Sequence, residues 1–337
     1  MPNNPYQLTT EDQLTEDFNP QIETFWAKQA RSDSFQGIDN KRIHTVSIKT
    51  GNDNAIVISQ GRNESVLKYK ELAYDLNKQG YDLYLIDHRG QGFSERLGGD
   101  QHRGHVDKFD HYPADLNIYI NSLGLSENYQ NSYLLAHSMG GAISALYLQQ
   151  YKHPFDAAIL FSPMLSINLG SVPTSIAKAL TATSGHVCSW FSDQACYVFG
   201  GSEYKRKTFA NNDLTSSEVR FEASQKTFEQ YPTTQLGDGS MHWVSQSISA
   251  TQQAVDNAEK ITIPILLVQA GSDSVVTAEG QNEFYKNLKQ CSSHQFLNIS
   301  NAKHEILLES DQYRVPALNT TLQFLENSQQ GKLKCTK

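Results

Sequence analysis

Residues 133–148 read YLLAHSMGGAISALYL, an apolar run that passes through Ala136-His137-Ser138-Met139-Gly140-Gly141 into a second apolar run without loop residues between them. A strand that turns so sharply into a helix needs small residues on both sides of the central serine, because the two backbones nearly touch there. Such a turn lifts the hydroxyl above the sheet edge, with the helix N-terminus beneath it. This is the pattern of a nucleophile elbow. Its usual form is G-x-S-x-G; here Ala136 stands at the first glycine, keeping the small size and adding a methyl group. A serine that merely caps an ordinary helix reads the same over the turn itself, so the rest of the chain has to separate the two.

A serine hydroxyl at its free pKa is a weak nucleophile; it needs a base, and the base needs a group to orient it. The strand-like run IPILLVQAG (263–271) ends at Ser272-Asp273, a carboxylate at the carboxyl end of a strand. That is the edge where open α/β sheets carry ligands. After the next strand-like run, HQFLNIS (294–300), the loop NAKHEIL presents His304. Ser138, Asp273 and His304 thus supply a nucleophile, an orienting acid and a base for acyl transfer. Singly, Asp273 could cap a helix starting near Thr277 and His304 could be a surface residue; their joint placement at strand ends favours the triad. His304-Glu305 has no second histidine four positions on, and no CxxC pair occurs, so neither a metal nor any other cofactor is expected. His137 lies next to Ser138 in an extended segment and points away from it, as a packing and hydrogen-bonding residue.

An acyl-transfer site also needs donors for the oxyanion. In AIVISQGRNES (55–65), Gly61 and Arg62 follow an early strand. Gly61 lets the loop approach closely, and the backbone N–H of Arg62 can face that of Met139 across the site. The alternative is a plain strand-ending turn. DHRGQGFS (87–94) lacks the spacing of a dinucleotide fingerprint and reads as a structural loop near the site mouth.

These residues need a frame. IHTVSIK (43–49) and AIVIS (55–59) flank GNDN as a hairpin, and VLKYKELAYDLNKQG (66–80) has helical spacing. LYLID (83–87), SYLLAH (132–137) and AAILFS (157–162) read as strands; HYPADLNIYINSL and GGAISALYLQQY read as the helices between them. The alternation predicts an α/β fold with a mostly parallel sheet flanked by helices. It stops after Ser162. Residues 163–245 hold prolines, glycines, aromatics and helical fragments, which predicts an inserted, mostly helical cap. The alternation resumes at 263–271, with a helix over 278–289, the strand 294–300 and a closing helix over 312–327. The core therefore spans 1–162, with 1–20 as a flexible arm, and 246–327, before a polar tail over 328–337.

Within the insertion, Val172, Ile176, Leu180, Val187, Trp190, Phe191, Val198 and Phe199 are more apolar surface than a solvated loop would carry. They are expected to line an acyl tunnel, with Trp190 and Phe191 on the substrate. The same stretch holds Lys205-Arg206-Lys207, the chain's only run of three basic residues. It could hold a phosphate, dock the cap on anionic lipid, or form a solvated helix face.

The whole composition sets outer bounds. With 337 residues, 38% hydrophobic and 19% charged, the chain is a folded one. The excess of 36 acidic over 28 basic residues argues against a nucleic-acid partner. No apolar run approaches the roughly 18–20 residues that cross a bilayer, and the polar, acidic N-terminus does not indicate export. The four cysteines, Cys188, Cys196, Cys291 and Cys335, predict free thiols in a reducing compartment, with a Cys188–Cys196 bridge as the lesser alternative.

Ser59-Gln60-Gly61-Arg62, DHRGQGFS and AHSMGG, in this order, resemble the lipase and esterase branch of the α/β-hydrolases that includes monoacylglycerol lipases. ESVLKYKELAYDL, IDHRGQGFSERL, LLAHSMGGAIS, Met241-His242-Trp243-Val244 and KHEIL are more similar to the bacterial lysophospholipase L2 family, over about residues 20–327. The resemblance implies a serine hydrolase that frees a fatty acid from a lysophospholipid while held peripherally at the inner face of the cytoplasmic membrane. Gln60-Gly61 stands where monoacylglycerol lipases usually show His-Gly, which favours the lysophospholipase branch. A monoacylglycerol lipase, a general carboxylesterase and a non-catalytic α/β-hydrolase scaffold are the alternatives.

Overall fold

Ala55, Ile56, Val57 and Ile58 are apolar on both faces of their strand, so the strand needs a neighbour on each side and cover above and below. A computed structural model, which describes residues 2–15, 19–168, 181, 183, 188, 190, 192 and 194–335, provides both. The strands are β1 (Ala30–Gln36), β2 (Arg42–Ile48), β3 (Asn54–Ser59), β4 (Tyr81–Ile86), β5 (Asn131–His137), β6 (Ala157–Phe161), β7 (Ile265–Ala270) and β8 (Gln295–Ile299). They form one sheet in the order β1-β2-β4-β3-β5-β6-β7-β8, antiparallel at β1-β2 and β2-β4 and parallel from β4 to β8.

The hairpin expected across GNDN does not form. β4 lies between β2 and β3, because β3, buried on both faces, takes two parallel neighbours while β2 continues into the antiparallel edge. β1 carries no strand signal: ARSDSFQ is polar and mostly exposed. Charged residues such as Arg31 and Asp33 suit an edge strand, where they discourage pairing with other chains.

Helices cover both faces. The helices α1 (Pro20–Gln29), α2 (Lys70–Lys78) and α8 (Asp311–Gln329) lie on one side; α3 (His111–Ser122), α4 (Met139–Gln150), α6 (Met241–Asp256) and α7 (Ala278–Asn287) lie on the other. The pleat divides each strand between them: Leu134 joins Leu116, Ile143 and Val255, whereas Tyr133 and Leu135 join Leu72, Leu318 and Leu322. Within the stretch expected as a cap lies α5 (Glu218–Gln230). α6 begins at Met241 and packs on α4 and α7, in the layer of the core.

Both ends of the described chain are tied down. Leu8 is buried, and Thr9 donates through its N–H and hydroxyl to Asp75 Oδ1 at 2.9 and 2.7 Å, so the described part of the arm is docked rather than flexible. The tail lies antiparallel to Cys291, with the Lys334 N–H on Ser293 Oγ at 2.7 Å. The expectation of free thiols is corrected: Cys188 is bonded to Cys196 and Cys291 to Cys335. The folded tail brings the second pair together across 44 residues, a proximity that spacing alone does not reveal.

Candidate active site

Ser138 sits at the turn from β5 into α4 with φ 51° and ψ −118°, a conformation that costs backbone energy for a residue with a side chain. The small neighbours make the turn possible. A β-carbon on Gly140 would collide with the Ser59 carbonyl oxygen, and one on Gly141 with the Pro163 ring. Ala136, at the usual first-glycine position, fits without exposure in the middle of the sheet.

The Ser138 hydroxyl donates to His304 Nε2 at 2.8 Å, and His304 Nδ1 donates to Asp273 Oδ2 at 2.7 Å. Asp273 Oδ1 accepts the N–H groups of Val275 and Val276, at 2.8 and 3.0 Å, so its loop is fixed by the same carboxylate. Burial by itself would raise the Asp273 carboxyl. The hydrogen bond and charge of His304 and the two N–H donors outweigh it, holding the group below its ordinary value. Thr277, not Asp273, precedes α7 as its cap residue. Ser138 and His304 are both buried.

Gly61 turns the chain after β3. A β-carbon there would meet His137 Nδ1 at 2.9 Å and the Glu64 carboxylate at 3.1 Å, so only glycine leaves the loop this close to the elbow. The Gly61 N–H donates to Glu64 Oε2 at 2.7 Å, and its carbonyl accepts from Gln91 Nε2 at 2.7 Å. Among the described residues, neither the N–H of Arg62 nor that of Met139 has an acceptor. The Arg62 side chain leaves the site: its guanidinium lies 4.9 Å from the centre of the Trp243 ring and donates to the Gly237 carbonyl at 2.7 Å. DHRGQGFS braces this loop. Asp87 accepts from Gln60 Nε2 at 2.6 Å and from the N–H groups of Val66 and Phe93, both at 2.9 Å.

Sequence reasoning missed the charge beneath the site. Glu64 accepts from His137 Nδ1 at 3.0 Å, Lys68 Nζ at 2.8 Å and the Tyr69 hydroxyl at 2.6 Å. Lys68 also reaches Glu305 at 2.7 Å, and His137 Nε2 lies 3.3 Å from the His304 carbonyl. Ligand atoms of Glu64, His137 and Glu305 fall within 4.8 Å of one another, a spacing compatible with a metal ion, but the Lys68 ammonium supplies the positive charge there. Burial would raise Glu64; Lys68 and His137 outweigh it and hold the carboxylate well below its usual range. The Glu64–Lys68 spacing of four residues was the available signal.

The cap residues fare differently. Phe191, Val172, Ile176, Leu180 and Val187 lie outside the described residues. Trp190 is 77% exposed and Phe199 78%, so both stand in solvent instead of lining a tunnel. Cys188, by contrast, is turned inward and bonded to Cys196. Residues 205–207 form no helix face, and Arg206 separates from its neighbours: it pairs with Glu222 and Glu229, while Lys205 and Lys207 border a cavity that Arg62 also lines.

The family profile described as serine aminopeptidase, S33, matches residues 50–311, which include Ser138, Asp273 and His304. Lysophospholipase L2 of Escherichia coli strain K12 is 36% identical over 315 residues, 91% of each chain. The chain belongs to this hydrolase family, in its lysophospholipase L2 branch. The probable lysophospholipase L2 of Haemophilus influenzae is 33% identical over 287 residues, 84% of this chain and 87% of the relative. A soluble variant of monoglyceride lipase from Saccharomyces cerevisiae shares the α/β-hydrolase fold at a TM-score of 0.67 and 18% identity, covering 89% of this chain and 96% of the other. Gln60, the departure from the His-Gly of monoacylglycerol lipases, faces Asp87 instead of the site.

Proposed function

We propose that the chain hydrolyses the fatty-acyl ester of lysophospholipids, with Ser138 as nucleophile, His304 as base, Asp273 as its orienting acid, and the N–H groups of Arg62 and Met139 as the oxyanion hole. The continuous hydrogen-bond chain from Ser138 through His304 to Asp273 carries this reading. As Ser138 Oγ attacks the acyl carbonyl, its proton passes to His304 Nε2, and the resulting imidazolium is stabilised by Asp273. The carbonyl oxygen becomes an oxyanion facing two N–H groups; one such donor contributes on the order of 3 kcal/mol. His304 then protonates the departing glycerol oxygen, leaving acyl-Ser138 and a glycerophosphodiester. Water, deprotonated by His304, attacks the acyl carbon; the fatty acid departs and Ser138 recovers its proton.

The substrate class is supported by the names of the relatives that match nearly the whole chain. A second reading, monoacylglycerol hydrolysis, draws on rat monoglyceride lipase, 34% identical over 119 residues but only 35% of this chain. Of the insertion expected as a cap over 163–245, α6 from Met241 on packs in the core layer, which leaves the described residues 194–240 to serve as the cap. Among the described residues no helix is long and apolar enough to cross a membrane. Contact with a lipid surface is peripheral, through the exposed Trp190 and Phe199. The cytoplasmic, inner-face location that the resemblance implies stands against two disulfides, which persist in oxidising compartments.

Competition among lysophosphatidylethanolamine, lysophosphatidylcholine and monoacylglycerol tests the reading through the ratio of kcat/KM values. Lysophospholipids are expected to dominate. Preference for monoacylglycerol would transfer the chain to the second reading, and no ester hydrolysis by wild type would end both.

A further inference from the structure

Between α5, residues 202–207 and residues 236–238 lies a cavity of about 370 Å³, within the size range of ligand pockets. Its lining is apolar and buried at Phe221, Phe228, Leu236 and Leu308. Its rim is charged. Lys205 and Lys207 are exposed there, and among the described residues neither ammonium has a carboxylate partner. Arg206 turns to Glu222 and Glu229, at 2.8 and 2.5 Å, which fastens the stretch to α5, while the two lysines on either side of it line the cavity.

Three carboxylates share the lining. Asp238 accepts the Ser202 N–H at 2.8 Å, and Glu305 is paired with Lys68. Glu203 is exposed at the rim and, among the described residues, has no cationic partner. The lining also includes Arg62, whose backbone N–H is one of the proposed oxyanion donors, and Glu305, the chain neighbour of His304. A pair of cations beside the carboxylates of Glu203 and Asp238, neither of which has an ion-pair partner among the described residues, is complementary to a phosphate with an ammonium attached.

We infer that this cavity receives the phosphate-bearing headgroup of a zwitterionic single-chain phospholipid, with the phosphate between Lys205 and Lys207 and the ammonium at Glu203. The inference rests on the lysophospholipid reading above and adds the place where the leaving group is recognised. Charge-assisted hydrogen bonds to the phosphate oxygens hold the headgroup in the ground state and the transition state alike, so their loss appears in KM and leaves kcat in place.

The test compares a Lys205→Gln/Lys207→Gln double variant with wild type on lysophosphatidylethanolamine and on monoacylglycerol of the same acyl chain, in neutral micelles. KM for the lysophospholipid should rise about tenfold, and the difference should shrink as salt approaches about 0.5 M. KM for monoacylglycerol, which has no phosphate, should move less than about twofold. Glu203→Gln should raise KM for lysophosphatidylethanolamine but not for lysophosphatidylglycerol, which has no ammonium. An unchanged KM in the double variant, or an equal rise for both substrates, overturns the inference. Saturation-transfer NMR with sn-glycero-3-phosphoethanolamine on wild type needs no turnover and decides the cavity even if the hydrolytic reading fails. Signal lost in the double variant supports the site, whereas no signal, or displacement by inorganic phosphate at equal concentration, overturns headgroup recognition.

Discussion

Among the networks of buried charge that the described residues form, two that flank the elements around the site are made from different residues. The first is guanidinium and carboxylate. Arg220 on α5 donates to Glu71 on α2, to Asp311 on α8 and to the carbonyls of Thr9 and Glu309; Arg314 on α8 pairs with Asp75 and also reaches Glu71. A guanidinium stays charged and offers five donors in a fixed fork, so one side chain can join several segments. The second network, Glu64, Lys68, Tyr69, His137 and Glu305, has an ammonium and an imidazole where the first has guanidinium groups. It bonds the Gly61 N–H beside Arg62 and the His304 carbonyl. The first network joins the docked arm, α2, α5 and α8, and among the described residues none of its hydrogen bonds or ion pairs goes to Ser138 or His304. The second touches both loops of the proposed site, so it should govern rate where the first governs stability.

The largest test of that division lies at the site itself. Ser138→Ala or His304→Ala should lower kcat roughly 10⁴- to 10⁶-fold, with an unfolding midpoint close to wild type. Asp273→Asn should cost about 10⁴-fold through the wrong imidazole tautomer. If Asp273→Asn proves mild, Glu305 would have to orient His304 despite its pairing with Lys68. Next comes the scaffold side. Arg220→Ala leaves Glu71 buried with one partner fewer and should cost about 3–5 kcal/mol in urea unfolding, while kcat per folded molecule stays near wild type. A large fall in kcat with an unchanged midpoint would erase the distinction between the networks.

How much of this was readable beforehand differs by residue. The parallel strands were legible because Ile56, Val57 and Ile58 are buried on both faces, and a strand so placed has nothing polar to alternate. Ser138 was legible because its turn demands small neighbours, and Asp273 and His304 because both follow strands. β1 was not, since its polar sequence carries no apolar pattern, and neither was the sheet order, which depends on where the chain returns. The networks were illegible for a related reason. Arg220 and Glu71 are 149 residues apart, and Lys68 and Glu305 are 237 apart, so only the tertiary fold reveals that these charges are paired and not solvated.

Glu64→Gln sharpens the comparison at a smaller scale. The amide is nearly isosteric and can still accept from the Gly61 N–H, but it loses the charge that holds Lys68 and His137. A positioning role predicts a fall in kcat of about tenfold with KM little changed, since each lost charge-assisted hydrogen bond is worth about 1.5–3 kcal/mol and part of that reaches the transition state. Glu64→Asp should recover some of it by restoring the carboxylate. If Glu64→Gln lowers only the unfolding midpoint, the second network is a scaffold like the first.

The smallest effect separates the networks by pH. Burial alone would lower the His137 pKa; the charge and hydrogen bond of Glu64 and the charge of Glu305 raise it above the ordinary value, against the opposing charge of Lys68, with the His304 ring packed alongside at 5.0 Å. A histidine held above its unfolded value stabilises the fold fully below pH of about 6.5 and loses that contribution as pH rises through the folded value. Glu64 and Glu71 are held below their ordinary values, by Lys68 and His137 in one case and by Arg220 and Arg314 in the other, so their contributions persist above pH of about 4.5 and fail in acid. His88, pushed down to about 4 by burial, adds to the same acid limb. Acid should therefore weaken both networks together, whereas mild alkali should weaken only the one under the site. The urea midpoint of wild type is expected to decline between about pH 6 and about pH 9. His137→Gln should flatten that limb and keep the acid one, while Arg220→Met should leave the alkaline slope intact. A wild-type midpoint that is level across this range would mean that the imidazole beneath Ser138 contributes nothing through its charge, and that the two networks differ in place only.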